Sequence, residues 1–188
     1  MKKVVLLGDS IRMIGYGTKV PQLLGDEYEV FQPVDNCRFV KYTLRGLFDW
    51  KEDLKGADII HWNNGLWDTS TGLFGDGKPF TKEDEYVENM LRVAALLKKL
   101  APRVIFATTT PVRPDYEYND NNVIDRYNAV LVPKLKEMGF EINDLNSLVK
   151  ADVYKYIRDD DKIHLTDEGI DLCANQVVKV IKGELVSC

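Results

Sequence analysis

Five short apolar runs, each closed by turn-forming residues and followed by a stretch with helical periodicity, constrain this chain more than any other feature. They are Val4-Val5-Leu6-Leu7, Tyr28 to Gln32, Ala57 to Asn63, Val104 to Thr108 and Phe140 to Asn143. Val4 to Leu7 is apolar without alternation, as a strand buried on both faces requires. Strands alternating with helices predict an α/β fold with a parallel five-stranded sheet, right-handed crossovers and helices on both faces. The 188 residues suit one domain spanning 1–188 with one core, and neither repeats nor low-complexity segments interrupt it.

Between the runs, helices are predicted over Val20 to Leu24, over about Thr43 to Leu54, from Thr81 to about Leu100, over Asn122 to Met138, and from a Thr166 cap to Ile181. Thr81-Lys82-Glu83-Asp84 reads as a capping-box start, and Gly139 as a C-terminal stop. Asn64 to Phe80 lacks helical period, and a loop this long inside a compact domain is usually functional or mobile.

Composition excludes several function classes. A formal charge of −5 without a basic stripe argues against nucleic acid or an anionic membrane surface as partner. No run of about 18 apolar residues predicts a membrane span. Cys37, Cys173 and Cys188 are an odd number without metal-ligand spacing, so neither a disulfide framework nor a zinc site is expected. The N-terminus enters a strand directly, which implies a cytoplasmic protein, or a secreted one whose signal has been removed. Gly8 to Ser10 lacks the second glycine and Lys-Ser/Thr pair of a phosphate-binding loop.

Ser10 follows the first apolar run through the turn Gly8-Asp9. A serine just past the carboxyl end of a central parallel strand stands where open α/β sheets bind ligands, although Asp and Ser here equally suit the cap of a helix starting near Ile11. The chain has only two histidines. His61, among Ile59, Ile60 and Trp62, reads as a packed strand residue. His164 lies in a loop before the last helix, three residues after Asp161, and a carboxylate so placed can accept the Nδ1 proton and leave Nε2 to face a nucleophile.

An N-terminal Gly-Asp-Ser on a buried strand together with a near-C-terminal Asp161-x-x-His164 resembles the SGNH (GDSL) hydrolase family, whose bacterial members include carbohydrate acetylesterases. The resemblance implies a three-layer, flavodoxin-like sandwich. It makes Ser10 the nucleophile and Asp161 and His164 its orienter and base, with no metal or organic cofactor. It also implies oxyanion donors from the Ser10 N–H, from a block II N–H and from a block III asparagine. The chain departs from the pattern at the last two. Trp67 takes the asparagine position in Gly65-Leu66-Trp67-Asp68, so Asn63 is the preferred amide donor, with Asn64 and Trp67 as alternatives. Gly46 falls inside a helical pattern, where its N–H is already bonded, so the Cys37 N–H in the loop Asp35 to Arg38 is preferred for block II.

Tyr16, Trp62, Trp67, Phe74 and Tyr116 gather near strand ends, where aromatic faces can stack on sugars. Arg12, Arg38 and Arg113 could bind hydroxyls or a carboxylate. The expected activity is hydrolysis of an acyl ester, an acetyl ester of a carbohydrate before others, on a small-molecule or oligosaccharide substrate. A lysophospholipase or thioesterase, and a non-catalytic sugar-binding module on the same fold, are the rival readings.

Overall fold

The computed structural model describes residues 1–184. Its sheet has the strands β1 (Lys2–Leu7), β2 (Tyr28–Phe31), β3 (Ile59–Trp62), β4 (Arg103–Ala107) and β5 (Glu141–Asn143). All pairings are parallel, in the order β2-β1-β3-β4-β5. This is the flavodoxin-like order, and its switch point, where successive connections leave in opposite directions, lies between β1 and β3.

Strand geometry explains why the central runs carry no polar alternation. Val4 and Leu6 project into one core layer, while Val5 and Leu7 project into the other. The first layer is closed by α1 (Val20–Leu24), α6 (Leu145–Lys150) and α8 (Asp167–Lys182), the second by α2 (Val40–Asp49), α3 (Lys51–Leu54), α4 (Glu83–Leu100) and α5 (Asn121–Glu137). Burying an apolar side chain contributes about 1.5–3 kcal/mol, so these two layers carry the fold. Among the described residues no helix is long and apolar enough to cross a membrane.

Several expectations shift. The stretch after Ser10 is a five-residue π-helix, Ile11–Gly15, followed by a 3₁₀ turn, Tyr16–Thr18. The expected helix from Thr43 starts earlier, at Val40, and breaks at Trp50 into α2 and α3. Thr81 does not cap α4: its hydroxyl donates to Asp68 at 2.6 Å, and Lys82 holds the cap position without a side-chain bond. Asp68 in turn accepts the Val40 N–H at 3.0 Å, so it caps α2 from a distant loop. The stretch before Asp160, readable from sequence as a loop or short helical turn, holds the short helices α6 and α7 (Val153–Tyr156), in keeping with that reading. Asn64 to Phe80 has no helix, as expected. Cys37 and Cys173 are free and buried, and Cys188 lies outside the described residues.

Candidate active site

β1 and β3 are neighbours at the switch point, with Leu7 opposite Trp62, so the residues just beyond them, Ser10 and Asn63, converge at the carboxyl edge of the sheet. Ser10 occupies the N-cap position of the π-helix, yet its side chain makes no capping bond. Asp9 takes that task, its Oδ1 accepting the Ile11 N–H at 3.0 Å. The Ser10 Oγ is instead 2.9 Å from Nε2 of His164.

His164 comes from the other end of the chain on a pinned loop. The Arg158 N–H donates to the His164 carbonyl at 2.8 Å, and Ile157 bridges Leu165. Inside the loop, Asp161 Oδ2 lies 2.9 Å from His164 Nδ1, while Oδ1 accepts the N–H groups of His164 (2.9 Å) and Ile163 (3.1 Å). Partial burial pushes the Asp161 carboxyl up, but these two N–H groups and the imidazole outweigh it and hold the carboxyl down at about 2. Arg158 adds a contact to Oδ2 at 3.2 Å. The Ser10, His164 and Asp161 side chains thus form one continuous hydrogen-bonded line.

Arg113 clamps this loop. Its guanidinium donates to the carbonyls of Ile157 (3.0 Å) and Tyr154 (3.1 Å) and to Asp159 (2.7 Å), which leaves it no role as the free hydroxyl or carboxylate ligand considered from sequence.

The Ser10 N–H, in the first helical turn, has no acceptor among the described residues. Asn63 lies beside the Gly8–Ser10 turn: a Cβ on Gly8 would come within 2.0 Å of its Oδ1. The Asn63 amide is buried, accepting the Tyr16 hydroxyl at 2.6 Å and donating to Asp9 Oδ1 at 2.9 Å. Asn64 points the opposite way, as strand alternation requires. It accepts from Thr43 (2.7 Å) and the Trp62 indole (2.8 Å), donates to the Arg38 carbonyl (2.9 Å), and so ties the 36–39 loop to β3.

The expected block II donor needs correction. The Cys37 N–H is not free; it donates to the Gly8 carbonyl at 3.1 Å, and Cys37 Sγ accepts the Gly8 N–H at 3.2 Å. Burial pushes the thiol up to about 11, so it carries no thiolate at neutral pH. Cys37 fastens its loop to the Gly8–Ser10 turn. Gly46 is buried within α2, where a Cβ would strike Trp50 at 2.5 Å.

Three residues considered as sugar contacts are inaccessible. Tyr16 and Trp62 are fully buried and Arg12 is 2% exposed. Arg12 donates to the carbonyls of Gly8 (3.1 Å), Pro33 (2.9 Å) and Asp35 (2.8 Å), beneath the Gly8–Ser10 turn. His61 is also buried, as its strand position implied, and burial pushes its imidazole down to about 3. Arg38 is exposed, beside Asp35 and over the Tyr42 ring.

Two clefts meet at Ser10 and His164. One, of about 390 Å³, is bounded by Ile14, Arg158, Asp167 and Ile170. The other, of about 380 Å³, is walled by Leu66, Trp67, Leu73, Tyr116, Tyr118 and Ile163. Its polar lining residues, Ser70 and Asn119, are turned to each other and to the Leu66 carbonyl, so the groove is apolar. Leu66, Leu73 and Tyr118 were not singled out from sequence; the unusual concentration of Trp, Leu and Phe in an otherwise polar loop was the available signal.

The chain is 31% identical over 213 aligned positions to the GDSL esterase/lipase CPRD49 of Arabidopsis thaliana, covering 96% of this chain and 78% of the relative. Among solved structures, a lipase/acylhydrolase from Enterococcus faecalis superposes with a TM-score of 0.78 at 19% identity, covering 99% of this chain and 98% of its own. The acetyl xylan esterase AlAXEase gives 0.78 at 18% identity, with 95% and 99% covered. No family model matches the chain. At such identities the two structures speak for the fold, whereas the plant relative speaks for the family: the chain belongs to the GDSL (SGNH) esterase/lipase family and is a carboxylic ester hydrolase.

Proposed function

We propose that the protein hydrolyses acyl esters through a Ser10 acyl-enzyme, with His164 as base and acid and Asp161 as its orienter. The observation that carries this reading is the line Ser10 Oγ, His164 Nε2, Nδ1, Asp161 Oδ2, with both separations at 2.9 Å. His164 takes the Ser10 proton as Oγ attacks the ester carbonyl, then returns it to the departing alcohol. Water deprotonated by His164 attacks the acyl-enzyme, and the carboxylic acid leaves with Ser10 reprotonated. Asp161, ionised, holds the proton on Nδ1. The Ser10 N–H and the Asn63 Nδ2 are the oxyanion donors of this reading. No metal or organic cofactor enters the reaction.

An acetyl ester of a carbohydrate is the substrate first in line. The cleft holding Arg158 and Asp167 beside Ser10 supplies polar partners for a hydroxylated alcohol, and a fold neighbour is an acetyl xylan esterase. The apolar groove favours a second reading, in which the acyl group is longer or aromatic, because acetyl fills only a fraction of about 380 Å³. Acetate release from acetylated oligosaccharides, beside a p-nitrophenyl ester series from acetyl to octanoyl, separates the two. Ser10→Ala is the blank, expected to lose at least about 10³-fold in kcat. Full activity of Ser10→Ala, or sugar binding without turnover, refutes the proposed mechanism.

A further inference from the structure

The segment after the nucleophile carries a buried tyrosine that the triad does not use. We infer that Tyr16 is a positioning residue for the reaction, fixing the orientation of the Asn63 amide so that Nδ2, and not Oδ1, serves the oxyanion. This inference rests on the proposed role of Asn63.

An asparagine amide is nearly symmetric in shape, and which end faces a site is decided by its hydrogen-bond partners. Here both ends are constrained. The Tyr16 hydroxyl donates to Oδ1 at 2.6 Å, and Asp9 Oδ1, already accepting from Ile11, accepts from Nδ2 at 2.9 Å. Flipping the amide would set two acceptor oxygens, Asn63 Oδ1 and Asp9 Oδ1, against each other and turn Nδ2 toward the Tyr16 hydroxyl. In the observed orientation one Nδ2 hydrogen goes to Asp9, and the second has no acceptor among the described residues.

Tyr16 is itself held. Its ring is fully buried and packs edge-on against His61 at 5.5 Å. Burial pushes its hydroxyl well above the ordinary tyrosine range, so it remains an O–H donor at any working pH. Its backbone stands where the π-helix gives way to the 3₁₀ turn. Irregular windings of this kind recur at functional sites, and this one brings Tyr16 under the end of β3. A donor lost from an oxyanion site costs about 10²–10³ in kcat, and an amide that keeps its Asp9 contact but loses the anchor on Oδ1 swings about that contact and loses part of it.

The test compares Tyr16→Phe, Asn63→Ala and the double variant on a p-nitrophenyl ester, with thermal unfolding recorded for each. The expected result is that Tyr16→Phe lowers kcat about 10–100-fold with KM within about twofold, as loss of a transition-state interaction requires. The double variant should be no slower than Asn63→Ala alone, because without the amide the hydroxyl has nothing to orient. A boronic acid that forms a tetrahedral adduct on Ser10 should weaken in step with kcat, a readout that loss of stability alone would not move. If Asn63→Ala is impaired while Tyr16→Phe keeps wild-type kcat, or if the two losses multiply, the inference on Tyr16 is overturned and the role of Asn63 stands. If Asn63→Ala keeps wild-type kcat, both fall.

Discussion

Gly8→Ala tests the packing around the nucleophile most sharply. Gly8 does not have a positive φ, so it is not required for backbone conformation. It is required for space: an added Cβ would lie 2.0 Å from Asn63 Oδ1 and 2.7 Å from Arg12 Cβ. Two responses are open. If Asn63 swings away, it abandons two buried hydrogen bonds, from the Tyr16 hydroxyl and to Asp9, worth about 0.5–1.5 kcal/mol each. If the turn shifts instead, overpacking costs about 1–3 kcal/mol. The less costly response sets the loss, which is then about 1–3 kcal/mol, or about 2–12 °C in Tm for a chain of this size. Either response displaces Ser10 or Asn63 by about an ångström, and kcat should fall about 10²-fold. Urea unfolding and single-turnover kinetics measure the two effects. In Gly8→Ala/Asn63→Ala the stability should return in part, since Arg12 Cβ still obstructs, while kcat stays at the Asn63→Ala level. A Gly8→Ala variant within about 0.5 kcal/mol of wild type and at full kcat would refute this account of the turn.

Arg12→Ala removes the donor to three buried carbonyls and should cost about 3–5 kcal/mol in urea unfolding; Arg12→Lys should recover little, since an ammonium cannot span Gly8, Pro33 and Asp35 together. Asp161→Asn should leave Tm within a few degrees but lower kcat about 10²–10⁴-fold, because an amide facing Nδ1 favours the wrong imidazole tautomer; an unchanged kcat would remove Asp161 from the proposed triad. Asp68 gives a pH signature. Burial raises its carboxyl from 3.8 to about 7, so below pH 4 it is protonated in folded and unfolded chains alike and contributes nothing, whereas between pH 4 and 7 ionisation is resisted by the fold and stability falls. The upper bound is about 4 kcal/mol, and the advantage of Asp68→Asn over wild type in urea unfolding should grow across that window; a difference flat with pH would contradict it.

The parts of this molecule legible in its sequence are those encoded locally. Val4 to Leu7 is too short and too apolar to suit anything better than a strand buried on both faces, and Asp161-x-x-His164 closes its own hydrogen bond within four residues, so the fold and the Asp161–His164 contact could both be read directly. What could not be read depends on which distant group answers a given donor. Cys37 sits in an irregular loop where a free N–H is a fair expectation, and only the approach of Gly8, 29 positions away, shows the N–H engaged. Thr81 precedes a run of acids as a cap should, yet Asp68 offers a buried carboxylate that draws its hydroxyl away from the helix. Tyr16 and Arg12 resemble ligand-binding surface residues by type, and their burial follows from a π-helical winding that no simple periodicity announces.

The two sides of Ser10 are built from different materials, and this has a consequence for how the substrate range is set. On the side of Gly8, Asp9, Arg12, Cys37 and Asn63, the contacts are buried or part-buried hydrogen bonds and close approaches, and a change there is felt at Ser10. On the other side, Trp67, Leu73 and Tyr118 are each about 40% or more exposed, stand on loops, and donate no side-chain hydrogen bond to that buried network. Groove residues can therefore be exchanged at little cost to the fold, whereas the buried set cannot. Acyl preference should accordingly follow the identity of positions 67, 73 and 118, and the rate of the chemical step should follow positions 8, 12, 16 and 63. A chain that kept the second set and varied the first would retain ester hydrolysis while changing which ester it accepts.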